Sequence, residues 1–279
     1  NSKNIKYYHF DNYFFLSLIF IFLKTKFLYS STPDLNFTIF RRSIKKEIKY
    51  VYIQHSPVSL SMAYKKNAFI NFDAVQVVNK HQYSDLIDIN NFYNKKIRPI
   101  KSKYSFLENS LRTKKTLDKK IDYLIAPTWN SDFYKLNLHK KIFNILKNLN
   151  KSFLFRPHYM SVKKKEFSFK DIDLNKENID LNSDLIFQNY NNLISDWSGI
   201  YLEFAIINKR KPILINSKMK VRNDDFKSFT KKPIELEMRK NLSVQFDPKN
   251  IELLKDFISQ KNNNSILSIG DDLIKEIIN

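Results

Sequence analysis

"NNLISDWSGIYLEFAI", residues 191–206, is the stretch on which the fold turns. Asn191 to Asp196 is a short apolar-centred run that reads as a strand. Asp196-Trp197-Ser198-Gly199 then turns the chain, and Ile200 to Ile207 carry the apolar pattern of a helix. A strand that runs straight into a helix is the building unit of a parallel sheet with helices on its faces. Gly199 is one of only two glycines in 279 residues. Ser198 suits the helix cap, and Gly199 leaves the first turn without a side chain. Free N–H groups and the helix dipole there favour a phosphate. Glu203, one turn further in, is a carboxylate suited to accept hydrogen bonds from a ribose. Taken alone, the stretch is equally an ordinary capped helix.

The same unit recurs on both sides. Upstream, residues 26–31, 49–54 and 73–78 read as buried strands, with helices over 13–23 and 83–92. Residues 94–120 are basic and weakly periodic, and read as a connector with at most a short helix of its own. Beyond it, 121–129, 152–158, 211–216 and 242–246 read as further strands, with helices over 131–150, 249–260 and 271–278. The alternation occurs twice. It predicts two Rossmann-like α/β units, an N-terminal one over 1–112 and a C-terminal one over 113–279. The N-terminal unit is short for its type. The chain opens at Asn1 rather than Met, which leaves room for an upstream element.

Ligands of such sheets bind at the carboxyl ends of the strands. Four strand ends carry unusual chemistry. His55, in "YIQHSPVS", has an ordinary pKa near that of a working general base, and is equally readable as a core-edge histidine. "APTWNS" (126–131) offers Thr128, Asn130 and Ser131 as helix caps or, through the same N–H groups, as phosphate donors. In "FRPHY", Arg156 and His158 flank Pro157, and a guanidinium fork beside a histidine suits an anion better than solvent. Ser195, Asp196, Ser198 and Gly199 make up the fourth.

Composition narrows the class. There is no cysteine, which excludes disulfides, thiolate metal sites and a cysteine nucleophile. The formal net charge of +20 points to an anionic partner: nucleic acid, an acidic membrane face or a phosphorylated substrate. The basic residues are dispersed, without the clustered face or known motif of a nucleic-acid binder. Residues 13–23, "YFFLSLIFIFL", are strongly apolar but only about half the ~20 residues that a spanning helix needs. A buried core helix is the first reading. An interfacial anchor, with Lys24 and Lys26 toward lipid phosphates, is the second.

His55-Ser56-Pro57, Ala126-Pro127-Thr128-Trp129, Arg156-Pro157-His158 and Ser195-Asp196-Trp197-Ser198-Gly199, in this order, resemble the motifs of the CDP-glycerol glycerophosphotransferase family, the teichoic-acid polymerases and their surface-polysaccharide relatives. Each motif is modest; the ordered set is specific. The resemblance covers roughly residues 10–245. It implies a GT-B-like fold, two Rossmann-type domains facing a cleft. It also implies transfer of an alditol phosphate from a CDP-activated donor to a hydroxyl of a cell-surface polymer or its lipid-linked precursor, at the inner face of a bacterial membrane. His55 would then be the base and His158 a second catalytic group. Arg156, Thr128, Ser195, Asp196, Ser198, Gly199 and Glu203 would hold the donor. No cofactor and no metal are called for, since Lys and Arg suffice to neutralise a diphosphate. The competing reading is a GT-B glycosyltransferase with a nucleotide-sugar donor. A more distant one is a non-catalytic basic protein at a membrane surface or on nucleic acid.

Overall fold

The computed structural model describes residues 6, 8–10, 12–112, 118–172, 174–181, 185–260 and 267–278, with the backbone alone described at Tyr13 and Asp171. The expected division at 112/113 thus falls at the edge of residues outside that description. Two parallel sheets make the frame of a mixed α/β fold.

The first sheet has the order β1-β2-β3-β4, from β1 (Phe27–Ser30), β2 (Lys49–Tyr52), β3 (Ala74–Val77) and β4 (Arg98–Lys101). α1 (Tyr13–Phe22) precedes β1, and α3 (Ser105–Arg112) follows β4. Only β3 and β4 are joined through a helix, α2 (Lys80–Phe92), capped by the Asn79 side chain on the Gln82 N–H. The other two crossovers, 31–48 and 53–73, form turns. They cover the sheet with side chains instead: Leu35, Phe40, Leu60, Met62, Tyr64, Phe69 and Phe72 are all buried. β4 lies inside the stretch expected to be a connector. Its sequence, Arg-Pro-Ile-Lys, carries no strand pattern, and it sits at the sheet edge, where proline is tolerated.

The second sheet has the order β6-β5-β7-β8-β9, from β5 (Ile121–Ile125), β6 (Phe153–Phe155), β7 (Tyr190–Ser195), β8 (Ile213–Ile215) and β9 (Val244–Phe246). The expected helix over 131–150 is two, α4 (Asp132–Lys135) and α5 (Leu138–Asn148). The break is at Asn137, with φ 53°, a left-handed conformation that asparagine adopts more readily than most residues. Short helices α6 (Tyr159–Lys163), α8 (Ile234–Glu237) and α9 (Arg239–Leu242) escape sequence reading. α7 (Ile200–Asn208), α10 (Leu253–Ser259) and α11 (Asp271–Ile278) fall where expected.

Alternation along the strands builds two cores. Leu124 and Leu193 face one, and Tyr123, Ile125 and Ile194 face the other. The second core lies under α5 and α10. The first is continuous with the core of the other sheet: Tyr52, Val75 and Leu86 belong with Leu202, Phe204 and Ala205 of α7. α11 returns to the first half, with Ile274 and Ile277 in the same core and Glu276 facing Lys80 at 4.0 Å.

α1 departs from the first expectation. Phe20 packs edge-on to Phe40 with ring centroids 4.9 Å apart, but Phe14, Phe15 and Phe22 are 68%, 60% and 62% exposed. The helix is apolar all round, so one side finds the core and the rest is left outside. No helix among the described residues is long and apolar enough to cross a membrane.

Candidate functional site

In the second sheet the strand order reverses between β5 and β7, so the loops leaving these strands splay apart and open a crevice. Thr128 and Trp129 leave β5 there, and Trp197, Ser198 and Gly199 leave β7. Arg156 and His158 follow the neighbouring β6, and His55 follows β2 of the other sheet. A cavity of about 570 Å³ is lined by His55, Thr128, Arg156, His158, Ser198 and Glu203, and by residues from both sheets around them. Four strand ends, far apart in sequence, therefore meet in one space.

The segment that carries His55 is held on every side. Gln82 donates to the carbonyls of Ser56 and Val58, and Asn79 to that of Pro57. Asp85 accepts from Leu60 N–H, at 2.7 Å, and from Ser61. Glu235, from the second half, accepts from Ser59 N–H at 3.0 Å. His55 Nδ1 lies 2.9 Å from the Tyr52 hydroxyl. Loss of water around the ring lowers the pKa of His55 below its ordinary value, against an opposing bond to the Ser31 backbone. A neutral imidazole is what a general base requires.

His158 is differently committed. It caps α6, its Nδ1 accepting the Met160 N–H at 3.0 Å. That bond leaves the neutral ring with its proton on Nε2, a donor. Lost solvation, then Lys220 and His55, bring its pKa down to about 4. Arg156 is ion-paired with the buried Asp180. Its guanidinium is thus aimed by a carboxylate rather than free in solvent.

Ser195 and Asp196 do not line the cavity, contrary to the expectation that they touch the donor. Both are fully buried. Ser195 Oγ donates to the Ala126 carbonyl at 2.6 Å, and Asp196 Oδ1 accepts the Thr128 N–H at 2.8 Å. They tie the ends of β5 and β7 together at the crevice. Burial raises the pKa of Asp196, opposed by the Thr128 N–H and by Ser131, Lys220 and Arg239.

Gly199 lines the cavity, and packing gives it a second reason. Its φ is −60°, open to any residue. A Cβ there would lie 2.4 Å from Val58 Cγ1 and 2.6 Å from Ser56 Oγ. The space that glycine leaves is filled by the His55 segment, so the glycine lets the two halves close on each other. The helix start at Gly199 has no side-chain cap, and Ser198 instead lines the cavity.

Three lining residues carry no sequence signal. Lys220 Nζ donates to Thr128 Oγ1 at 2.8 Å and lies 4.3 Å from the centre of the Trp129 ring. Arg222 is 5.6 Å from the same ring, and Lys164 is 4.4 Å from it. Neither Lys220 nor Arg222 forms an ion pair among the described residues. Burial lowers Lys220 to about 8, with Arg222 and Lys164 adding repulsion and Asp196 and Glu166 opposing it. Tyr104, the third, places its hydroxyl 2.8 Å from the His55 carbonyl and 2.8 Å from Glu203 Oε1. Burial raises Glu203 to about 7. Lys220 and Arg222 sit in a loop without periodicity, among 48 basic residues. Tyr104 sits in the stretch read as connector.

No protein-family model matches the chain, and no curated protein sequence matches it significantly. Among solved structures, forms of the wall teichoic acid polymerase TagF are similar. One has 14% identity over 86% of this chain and 74% of that one, at a TM-score of 0.41. A second, described with CDPG, has 16% identity over 90% of this chain and 72% of that one, at 0.43. Likeness at this level assigns no substrate and no residue role.

Proposed function

We propose that the chain is a transferase that moves an alditol-phosphate unit from a CDP-activated donor to a hydroxyl of a cell-surface polymer or its lipid-linked precursor. The observation that carries the reading is the pair of cations Lys220 and Arg222. Both line the cavity at the strand ends and form no ion pair among the described residues, and they share that cavity with a histidine whose pKa is lowered. Unpaired cations in a partly desolvated wall favour an anion of matching charge, and a diphosphate supplies it. The cytidine and alditol parts of the reading rest on the motif resemblance. The GT-B-like description and the division into an acceptor-side and a donor-side domain belong to the same proposal.

In this reading His55 takes the proton of the acceptor hydroxyl. The acceptor oxygen attacks the phosphorus that bears the alditol, and the bond from that phosphorus to the bridging oxygen breaks. CMP leaves with the electron pair. Lys220, Arg222, Arg156 and the His158 Nε2–H offset the charge that gathers on the diphosphate. The reaction belongs at an anionic membrane surface, on the cytoplasmic side. What supports that part is α1, whose exposed Phe14, Phe15 and Phe22 end at the exposed Lys24 and Lys26.

A calorimetric screen against CMP, CDP, UDP and GDP tests the donor. The reading expects CDP and CMP to bind at least tenfold more tightly than UDP and GDP. Preference for UDP or GDP would move the assignment to a nucleotide-sugar glycosyltransferase, and no binding by any of the four would remove the nucleotide site.

A further inference from the structure

The Tyr104 hydroxyl has one proton and two acceptors at equal distance, the His55 carbonyl and Glu203 Oε1, both at 2.8 Å. It can satisfy only one of them while Glu203 is ionised. A proton on Glu203 resolves the conflict: the carboxyl donates to the phenol oxygen, and the phenol donates to the His55 carbonyl. The surroundings favour that arrangement. Tyr104, ahead of α3, is bonded to Glu203; Tyr64 and His55, from the segment after β2, and His158, Lys220, Arg222 and Glu235, from the second half, share its cavity. Among the described residues no lysine or arginine pairs with Glu203. On α7 and at its cap the residues three and four away, Gly199, Ile200, Ile206 and Ile207, carry no charge. Burial without a counter-charge disfavours the carboxylate, and it raises the Glu203 pKa to about 7 against the Tyr104 hydrogen bond, which lowers it.

We infer that Glu203 is protonated in the empty cavity, and that a ligand bringing hydroxyl groups to it drives the proton out. A diol that donates to both carboxylate oxygens is served best by the ionised form. The Tyr104 proton then turns from the His55 carbonyl to Glu203, and the lost proton goes to solvent. Binding at the donor wall is in this way felt by the segment that carries the base. The inference rests on the donor-nucleotide reading above.

The test is titration calorimetry of CDP-glycerol in buffers of contrasting ionisation enthalpy. Its phosphates are diesters and do not titrate near neutrality. Any proton taken up by His55, His158 or Lys220 is common to the wild type and Glu203→Gln, so their difference isolates Glu203. At pH 6 the wild type should release close to one proton more than Glu203→Gln, and the difference should shrink toward zero at pH 8.5. Equal proton counts at pH 6, with both proteins binding, overturn the inference and leave the nucleotide reading intact. No binding by the wild type overturns both. Difference infrared spectroscopy decides the point without ligand affinity in the variant. A protonated-carboxyl band present at pH 6 in the wild type and missing from Glu203→Gln supports the inference, and its absence from the wild type overturns it.

Discussion

At Gly199 the missing side chain is a matter of packing between the two halves. Gly199→Ala puts a methyl group against Val58 and Ser56, and overpacking of this kind costs about 1–3 kcal/mol. Urea denaturation should show that loss. Val58→Ala in the same chain should return part of it, because the contact with Val58 is the shorter one. A Gly199→Ala protein of unchanged stability would mean that the segment moves aside freely. Arg222 should behave in the opposite way. Among the described residues no acid is ion-paired with it, so Arg222→Ala should leave the melting temperature nearly unchanged and weaken CDP binding by about 1.5–3 kcal/mol, the range for charge-assisted hydrogen bonds. The pH profile follows from three groups, one of them Glu203, whose pKa is raised to about 7 and which must lose its proton when the donor binds. His55 must be neutral, and burial lowers it from 6.5. Lys220 must be charged, and burial lowers it to about 8. kcat/KM should therefore rise through an acidic region made of a Glu203 limb at about 7 and a His55 limb below 6.5, and fall above about 8. Lys220→Arg, charged throughout, should push the basic limb upward; a limb that stays in place assigns it to another group.

Among the elements, α1 divides its side chains between two environments. Phe20 reaches the core at Phe40, and Phe14, Phe15 and Phe22 do not. The combined change Phe14→Ser, Phe15→Ser and Phe22→Ser should abolish sedimentation with acidic phospholipid vesicles while thermal stability holds. Unchanged sedimentation would exclude α1 as the contact. Elements also separate what sequence reveals from what it hides. β5, β6 and β7 are legible because apolar runs stop at Pro127, Pro157 or a polar turn, and these stops are the strand ends of the site. β4 is hidden because an edge strand needs no apolar alternation. Lys220 and Arg222 are hidden because a loop has no period and lysine is everywhere in this chain. Ser195 and Asp196 read as ligand contacts because a motif shows which residues go together, not which of them face the cavity. Burial assigns them to the joint between β5 and β7.

Across the whole molecule, one core runs from the first sheet through α7 to the second, and α11 closes back on the first half. Polar ties cross the same boundary: Glu235 to Ser59 N–H, Asp88 to Thr230 N–H at 3.0 Å, and Asp225 to the Tyr93 hydroxyl at 2.7 Å. The halves should unfold together. Tryptophan fluorescence, which reports Trp129 and Trp197 in the second half, should give the same urea midpoint as far-ultraviolet circular dichroism, which reports both. Separate midpoints would show that the shared core does not couple them. That coupling matters to function because His55 and the cations Lys220 and Arg222 belong to different halves and line one cavity. The most direct test of the account is release of CMP from CDP-glycerol, followed by phosphorus NMR with a hydroxyl acceptor present. The account predicts CMP from the wild type. For His55→Ala it predicts a rate lower by about 10²–10⁴, the usual contribution of a general base, with CDP affinity unchanged within about twofold, well inside the tenfold that 1.4 kcal/mol represents. No CMP from the wild type, or full turnover by His55→Ala, would contradict it.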